Sequence, residues 1–309
     1  MTGSFRRNLR QERFGVPDDL KNEKGLTMSG TLYLCATPIG NLEDITLRVL
    51  RILREVDLIA AEDTRTSGHL LSRYEITTKL TSYHKFNEKE KGQELIGRLL
   101  AGENIALITD AGTPAISDPG EILVRLCMEN GIEVTSLPGA NACITALTLS
   151  GQDTRRFAFE GFLPGDKKER KEVLAEMKTE RRTMVLYEAP HRLVRTLETL
   201  REELGGGRGI TLCRELTKKY ETIDRTTIDQ AIARAQTEPP RGEYVLVIEG
   251  KSDEEIREEK EELYENLPVP EHVARFETQG MSRKEAMKAV AKERGLSRRD
   301  VYRMCLEEE

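Results

Sequence analysis

Four short polar clusters, each directly after an apolar run, carry groups that could move a proton or hold an anion. "AEDTRTS" offers Glu62, Asp63 and Arg65, and "YHKFNE" offers His84, Lys85, Asn87 and Glu88. "YEAPHR" offers Glu188, His191 and Arg192, and "RELTKKYE" offers Arg214, Glu215, Lys218 and Glu221. Carboxylates and imidazoles so placed are general acid–base candidates, and guanidinium and ammonium groups are anion ligands. Each cluster also has a plainer use. Asp63 could cap the helix after it, His191 could pack on Pro190 in a first helical turn, and Arg214 with Glu215 could form structural ion pairs. The 5 cysteines and 4 histidines are scattered, with no CxxC and no metal-ligand spacing, so no metal is expected. Cys35, Cys127, Cys143, Cys213 and Cys305 read as buried, reduced thiols of a cytoplasmic protein.

A second kind of chemistry needs almost no side chains. Three segments are built from Gly, Pro and small residues: Thr37-Pro38-Ile39-Gly40-Asn41, "DAGTPAISDPG" from Asp110 to Gly120, and "LPGANA" from Leu137 to Ala142. Glycine lets backbone approach a ligand and adopt positive φ, and proline fixes a turn in advance. Any one such loop is ordinary. Three at one sheet edge point to a ligand held by backbone N–H and C=O groups. The P-loop and GxGxxG patterns are both absent, and the mix of Asp, Pro and small residues suits a neutral or cationic adenosine-like ligand.

The elements that must position these groups follow from periodicity. The first half alternates strands at 31–36, 56–61, 79–82, 105–109 and 132–136 with helices at 44–54, 66–73, 88–101, 119–130 and 140–150. Asn41 or Asp44 is the expected cap of the first helix. This is a parallel α/β domain over 29–139, whose post-strand loops gather at one edge. "GQDTRRFAFEGFLPGDKKER" breaks the rhythm, with a possible strand at 157–162. A second, more mixed α/β domain over 140–250 follows: strand 183–188, helix 191–204, strand 210–213, helix 226–236 and strand 244–249.

Outside these domains, residues 1–28 read as a flexible extension, and 251–270 as an acidic linker stiffened by Pro268 and Pro270. From Arg283 to Arg303 the chain carries eight bases and three acids. Two helices about Gly295, the second capped by Ser297, make 271–309 a helix-turn-helix candidate. The whole chain of 309 residues has net charge −6, so a nucleic-acid contact must be local. Tryptophan is absent and aromatics are 5%, which argues against extended stacking platforms. No apolar run is long enough to span a membrane.

Taken together, "TPIGNLEDIT", "AEDTR", "DAGTPAISDPG", "LPGANA", "LYEAPHR" and "CRELTKKYE" resemble the RsmI-type branch of the tetrapyrrole methylase superfamily, over about Ser29 to Gly250. The basic tail resembles that branch's C-terminal module. The resemblance implies two α/β domains with S-adenosylmethionine in the cleft between them, a homodimer, and methylation of a cytidine ribose 2′-hydroxyl in 16S ribosomal RNA. Its partner would be that RNA or the 30S subunit. Carried over by position, the cofactor would be held by Pro38, Asp110, Ala111, Gly112, Thr113, Ile116, Ser117, Ala140, Asn141, Ala142 and Tyr187. Where tetrapyrrole-specific relatives carry Gly-Asp-Pro, this chain has Gly112-Thr113-Pro114.

Methyl transfer to a hydroxyl is an in-line displacement that also needs a proton removed. Glu188 and His191 are the expected bases. Arg65, Lys85, Arg192, Arg214 and Lys218 would hold RNA phosphates or a splayed nucleotide, with Arg298, Arg299 and Arg303 adding salt-sensitive contacts from the tail. Two rivals stay open: the same fold acting on a tetrapyrrole or protein, and a non-catalytic RNA-binding protein.

Overall fold

The computed structural model describes residues 29–306; the expected extension 1–28 lies outside the described residues. The chain divides after Asn141 into two compact units, two residues later than the sequence boundary.

The first unit holds five parallel strands in the order β3-β2-β4-β1-β5: β1 (Thr31–Cys35), β2 (Leu58–Ala61), β3 (Leu80–Ser82), β4 (Ile105–Ile108) and β5 (Glu133–Leu137). β2 and β4 are buried throughout and read as unbroken apolar runs, as strands covered on both faces must. Helices α1 (Leu47–Glu55), α2 (Thr64–Arg73), α3 (Glu88–Leu100) and α4 (Glu121–Glu129) connect them. One core layer joins Leu32, Leu58, Leu95, Leu99 and Leu123; the other joins Val49, Ile52, Leu53, Ile59 and Ile108. The expected helix 44–54 is in fact two pieces. Asn41 caps a single 3-10 turn at Leu42–Asp44, and Thr46 caps α1 by accepting from the Val49 N–H. Asp44 caps neither, because the chain returns to extended backbone at Ile45 before α1 begins.

The second unit opens with α5 (Ala142–Ser150). Its sheet runs β6-β7-β10-β8-β9: β6 (Phe157–Gly161), β7 (Thr183–Glu188), β8 (Gly209–Arg214), β9 (Thr222–Thr227) and β10 (Tyr244–Ile248). Only β6 and β7 are parallel; the other pairs are antiparallel, so the sheet is mixed. Helices α6 (Lys167–Thr179), α7 (Leu193–Leu204) and α8 (Ile228–Thr237) cover one face through Leu174, Leu197, Leu200, Ile228 and Ala231. α5 packs on β7, β8 and β10, and Cys213 lies within reach of its Ala146 carbonyl.

Four helices follow: α9 (Asp253–Asn266), α10 (Val269–Thr278), α11 (Arg283–Glu293) and α12 (Arg298–Leu306). The segment read as an acidic linker is therefore a helix. Ser252 and Glu255 form a capping box at its start, and three acids in its first turn suit the positive end of the helix dipole. The last three helices enclose a core of Val269, Val273, Ala286, Val290, Val301 and Cys305. The tail is thus a three-helix module rather than two helices alone.

Candidate active site

The three loops of small residues follow β1, β4 and β5, which are adjacent in the first sheet, so they emerge side by side. They are stitched together by their own backbone. Thr37 N–H donates to the Gly112 carbonyl at 2.9 Å and Gly112 N–H donates back at 3.1 Å. Thr37 Oγ1 donates to the Thr109 carbonyl at 3.0 Å. Thr113 Oγ1 donates to the Ala140 carbonyl at 3.1 Å, and the Asn141 side-chain amide donates to Thr113 Oγ1 at 3.4 Å. Two glycines are required by this arrangement. Gly112 has φ +84°, and a Cβ there would lie 3.3 Å from Ile39 Cγ2. A Cβ on Gly139 would lie 2.6 Å from Ala36 Cβ.

The result is a floor and a rim. Pro38 and Gly112 are buried in the floor, while Thr113, Ala140 and Asn141 are half-buried where the loops lock. Asp110, Ala111, Ser117 and Ile116, the last 51% exposed, form the open surface. So nine of the residues expected at the cofactor converge within the first unit; Ala142 begins α5, and Tyr187 lies on β7, both in the second unit.

A group of acids stands at the same edge. Asp110 Oδ1 accepts from the Asp63 N–H at 3.3 Å. Partial burial, then the charges of Asp118 and Asp110, raise the pKa of Glu62. Burial, then the charge of Asp63, raises Asp110; burial, then the charge of Asp110, raises Asp118. Asp118 was not singled out in the sequence; its signal is that it shares a loop with Asp110. Asp63 does cap α2, accepting from the Arg65 N–H at 2.8 Å, and the Arg65 guanidinium turns back to it at 3.0 Å. Lys85 is exposed beside Phe86, which is 95% exposed.

In the second unit the alternation of β7 separates two residues that the sequence placed together. Tyr187 points to the α5 side, where its hydroxyl accepts from the Cys143 N–H at 3.2 Å and its ring meets Phe159 and Phe162 edge-on. Glu188 points to the α7 side and is only 2% exposed. Its Oε1 accepts from the Ala189 N–H at 2.8 Å, its Oε2 accepts from Thr196 Oγ1 at 2.5 Å, and Arg192 Nε lies 3.4 Å away. Both oxygens are engaged in holding the β7–α7 turn, which leaves Glu188 poorly placed as a base. Successive strand residues face opposite sides, so Tyr187 and Glu188 do not present to one site. His191 is exposed at the start of that turn.

The cationic candidates differ in availability. Arg192 also donates to the Leu163 carbonyl at 2.8 Å. Lys218 is bound by Glu215 at 2.9 Å and Glu243 at 2.8 Å. Burial pulls its pKa down, but these two partners outweigh burial and leave it raised. Its turn is strained, with φ +52° at Glu215 and +65° at Thr217, so Lys218 serves as a clasp. In the tail, Arg298, Arg299 and Arg303 are all exposed on α12, with Arg303 beside Asp300 at 3.3 Å. Arg294 is occupied: it donates to the Tyr264 and Leu267 carbonyls at the end of α9 and to His272.

Comparison with known proteins decides the family. The profile of the tetrapyrrole (corrin/porphyrin) methylases matches residues 31–232. The chain belongs to this family. It is 47% identical to the ribosomal RNA small subunit methyltransferase I of Halalkalibacterium halodurans, over 90% of this chain and 96% of that one. It is 48% identical to the protein of the same name from Bacillus subtilis, over 90% and 94%. The chain thus stands in that branch of the family. Solved structures share the fold at lower identity. Diphthine synthase is 13% identical with TM-score 0.58, covering 71% of this chain and 90% of that one. A cobalt precorrin-4 methyltransferase is 17% identical with TM-score 0.54, covering 71% and 94%. Among the described residues no group of three or more His, Cys, Asp or Glu could hold a metal ion, and no helix is long and apolar enough to cross a membrane.

Proposed function

We propose that this chain transfers a methyl group from S-adenosylmethionine to the 2′-hydroxyl of a cytidine ribose in 16S ribosomal RNA. The observation that carries the reading is the extent of the likeness to the ribosomal RNA methyltransferases. Their alignment of 279 residues is longer than the two α/β sheets and their helices together, so it reaches into the C-terminal module. The structural neighbours cover only 71% of the chain. What sets this chain apart from them is a module whose outer helices carry exposed arginines and lysines, which suits a phosphate backbone.

The residues of the first unit fit the methyl donor. The floor of Pro38 and Gly112 admits close backbone approach, Ala111 and Ser117 leave room, and the acids Glu62, Asp110 and Asp118 suit a cation. When bound, the donor supplies an electrophilic methyl on a sulfonium. The protein's part is to hold the hydroxyl within about 3–3.5 Å of that methyl, in line, and to take its proton. Of the two bases read from the sequence, His191 is the one left exposed for that role. Glu62 joins it, since burial and neighbouring charge raise its proton affinity. The expected partner is the 30S subunit or its 16S RNA, in the cytoplasm, and the expected assembly is a homodimer.

The test is methyl transfer from labelled S-adenosylmethionine to 30S subunits that lack the modification and to naked 16S RNA. The product is mapped by 2′-O-methyl-sensitive primer extension. One methylated cytidine ribose is the expected result. No incorporation into either substrate, with donor binding demonstrated separately, would overturn the reading.

A further inference from the structure

The second unit contains a pocket of about 280 Å³, lined in part by Arg214. It lies on the α7–α8 face of the sheet, at the end where Tyr244 of β10 pairs with Glu188 of β7 and Arg214 of β8. Strand alternation decides what enters it. Leu212 and Arg214 share one face of β8, and Leu212 joins the core beneath α7 and α8. Arg214 is the last residue of that row, so its guanidinium follows Leu212 into the pocket wall.

Three features define the chemistry of the pocket. Its walls are partly apolar, from Leu193, Leu212 and Pro239, with the Tyr244 ring beside them. Its acceptors are Glu238 and Asp224, the latter paired with Arg234. Its unused donor is Arg214 Nε, which is buried and has no hydrogen-bond partner among the described residues. A buried donor without an acceptor costs free energy unless a ligand supplies one. Glu188, the nearest acid in the row, is already bound by Thr196, Ala189 and Arg192.

A planar ligand with acceptors and a donor on one edge answers all three features, because flat apolar walls take its faces while Arg214 and a carboxylate take its edge. An unstacked pyrimidine of the cytosine type has ring and carbonyl acceptors beside an amino donor, and carboxylates pair with that amino group. We propose that this pocket binds one unstacked nucleobase of the RNA strand. The proposal rests on the ribosomal RNA reading for the source of the base, and the same pocket chemistry would accept a free mononucleotide. Proteins that read RNA sequence do so at splayed bases, which gives such a pocket a role in choosing the strand.

The test uses the full-length protein with labelled leucine methyl groups, observed by NMR. The probes are cytidine 5′-monophosphate, inorganic phosphate, and a single-stranded RNA oligonucleotide carrying the 16S sequence around the methylated site. The expected result is that the oligonucleotide and the mononucleotide both shift the Leu193 and Leu212 methyl signals while phosphate does not. Ala235→Trp, which fills the pocket from α8, removes the shifts, and Arg214→Gln weakens them. In methyl transfer both variants raise the KM for RNA about tenfold, the size of one lost base contact, with donor affinity unchanged. Response to the mononucleotide alone would overturn the RNA source, and an equal response to phosphate would overturn the base. No shift with any probe would overturn the pocket itself. These signals are read without turnover, so a failure of methyl transfer in the wild type would count against the function and leave this test standing.

Discussion

At the residue scale the two glycine-rich contacts and the buried Glu188 make opposite demands. Gly112 holds φ +84° with Ile39 3.3 Å from where a Cβ would sit, so replacing it with valine both strains the backbone and pushes the first two loops apart. S-adenosylmethionine affinity should fall beyond detection by calorimetry while the far-UV spectrum stays native; unchanged affinity would show that the donor binds elsewhere. Thr196→Val removes the 2.5 Å hydrogen bond to Glu188 Oε2 and leaves a buried carboxylate oxygen unsatisfied. Denaturant unfolding should show a loss of about 1–3 kcal/mol. The pH profile of methyl transfer should not move, whereas a shift would return Glu188 to the role of base. Glu62 gives the complementary pH experiment. Its pKa is raised, so it stays protonated over a range where an ordinary carboxyl has ionised. If it takes the proton, the rate should rise with pH through that higher range, and Glu62→Gln should abolish the limb.

At the scale of elements, α9 and the module after it show how charge was misread. Eight acids from 250 to 266 look like a solvated linker. In the structure Arg208, with its side chain nearly buried, donates to the Gly250 carbonyl at 2.8 Å and to Glu255 at 2.9 Å. Arg181 pairs with Asp253 and Lys251 with Glu259. Arg208 and Arg181 lie tens of residues from these partners in sequence, so local charge counting could not find them. The far end of α9 is fastened by Arg294, whose guanidinium lies 4.8 Å from the Tyr264 ring and reaches His272 Nδ1 at 3.1 Å. His272 stacks on Phe276 and is buried; burial, then the charge of Arg294, lowers its pKa below the usual 6.5, with Arg275 adding to this and Glu293 opposing. A histidine lowered on folding binds fewer protons in the native state than in the unfolded one. Its contribution is therefore intact above pH 6.5 and is lost as pH falls through the folded value. Hydrogen exchange in α10 and α11 should accelerate below pH 6.5 before the α/β sheets respond, and equal acceleration throughout would refute the clasp.

For the whole molecule, an overall charge of −6 and a basic module are reconciled by segregation. Lys284, Lys288 and Lys292 recur every four residues along the exposed side of α11, and Arg298, Arg299 and Arg303 are exposed on α12. Replacing the three arginines by glutamine should weaken RNA binding and reduce the salt slope by about 2, the value for three phosphate contacts on a single strand. Donor affinity should be unaffected, and an unchanged slope would remove the tail from the RNA-binding surface. The five cysteines are buried, and burial lifts Cys35 to about 12 and Cys127, Cys143 and Cys213 to about 11. Those thiols should react with a disulfide reagent only as fast as the units open.

The sequence by itself determined the parallel first sheet, the mixed second sheet, the three loops and the family, because periodicity, Gly/Pro punctuation and contiguous motifs are local properties. It also contained Glu62, Asp63 and Arg214 as candidates without ranking them. What it did not contain was direction. Only the strand register decided that Tyr187 and Glu188 face opposite sides and that Arg214 follows Leu212 into a pocket, and only the extended backbone at Ile45 made Thr46 rather than Asp44 the start of α1. The helix α6, the strand β9 and the acidic α9 were equally hidden. Their apolar stripes are short, and they are held by partners distant in the chain, whose positions exist only once the backbone has folded.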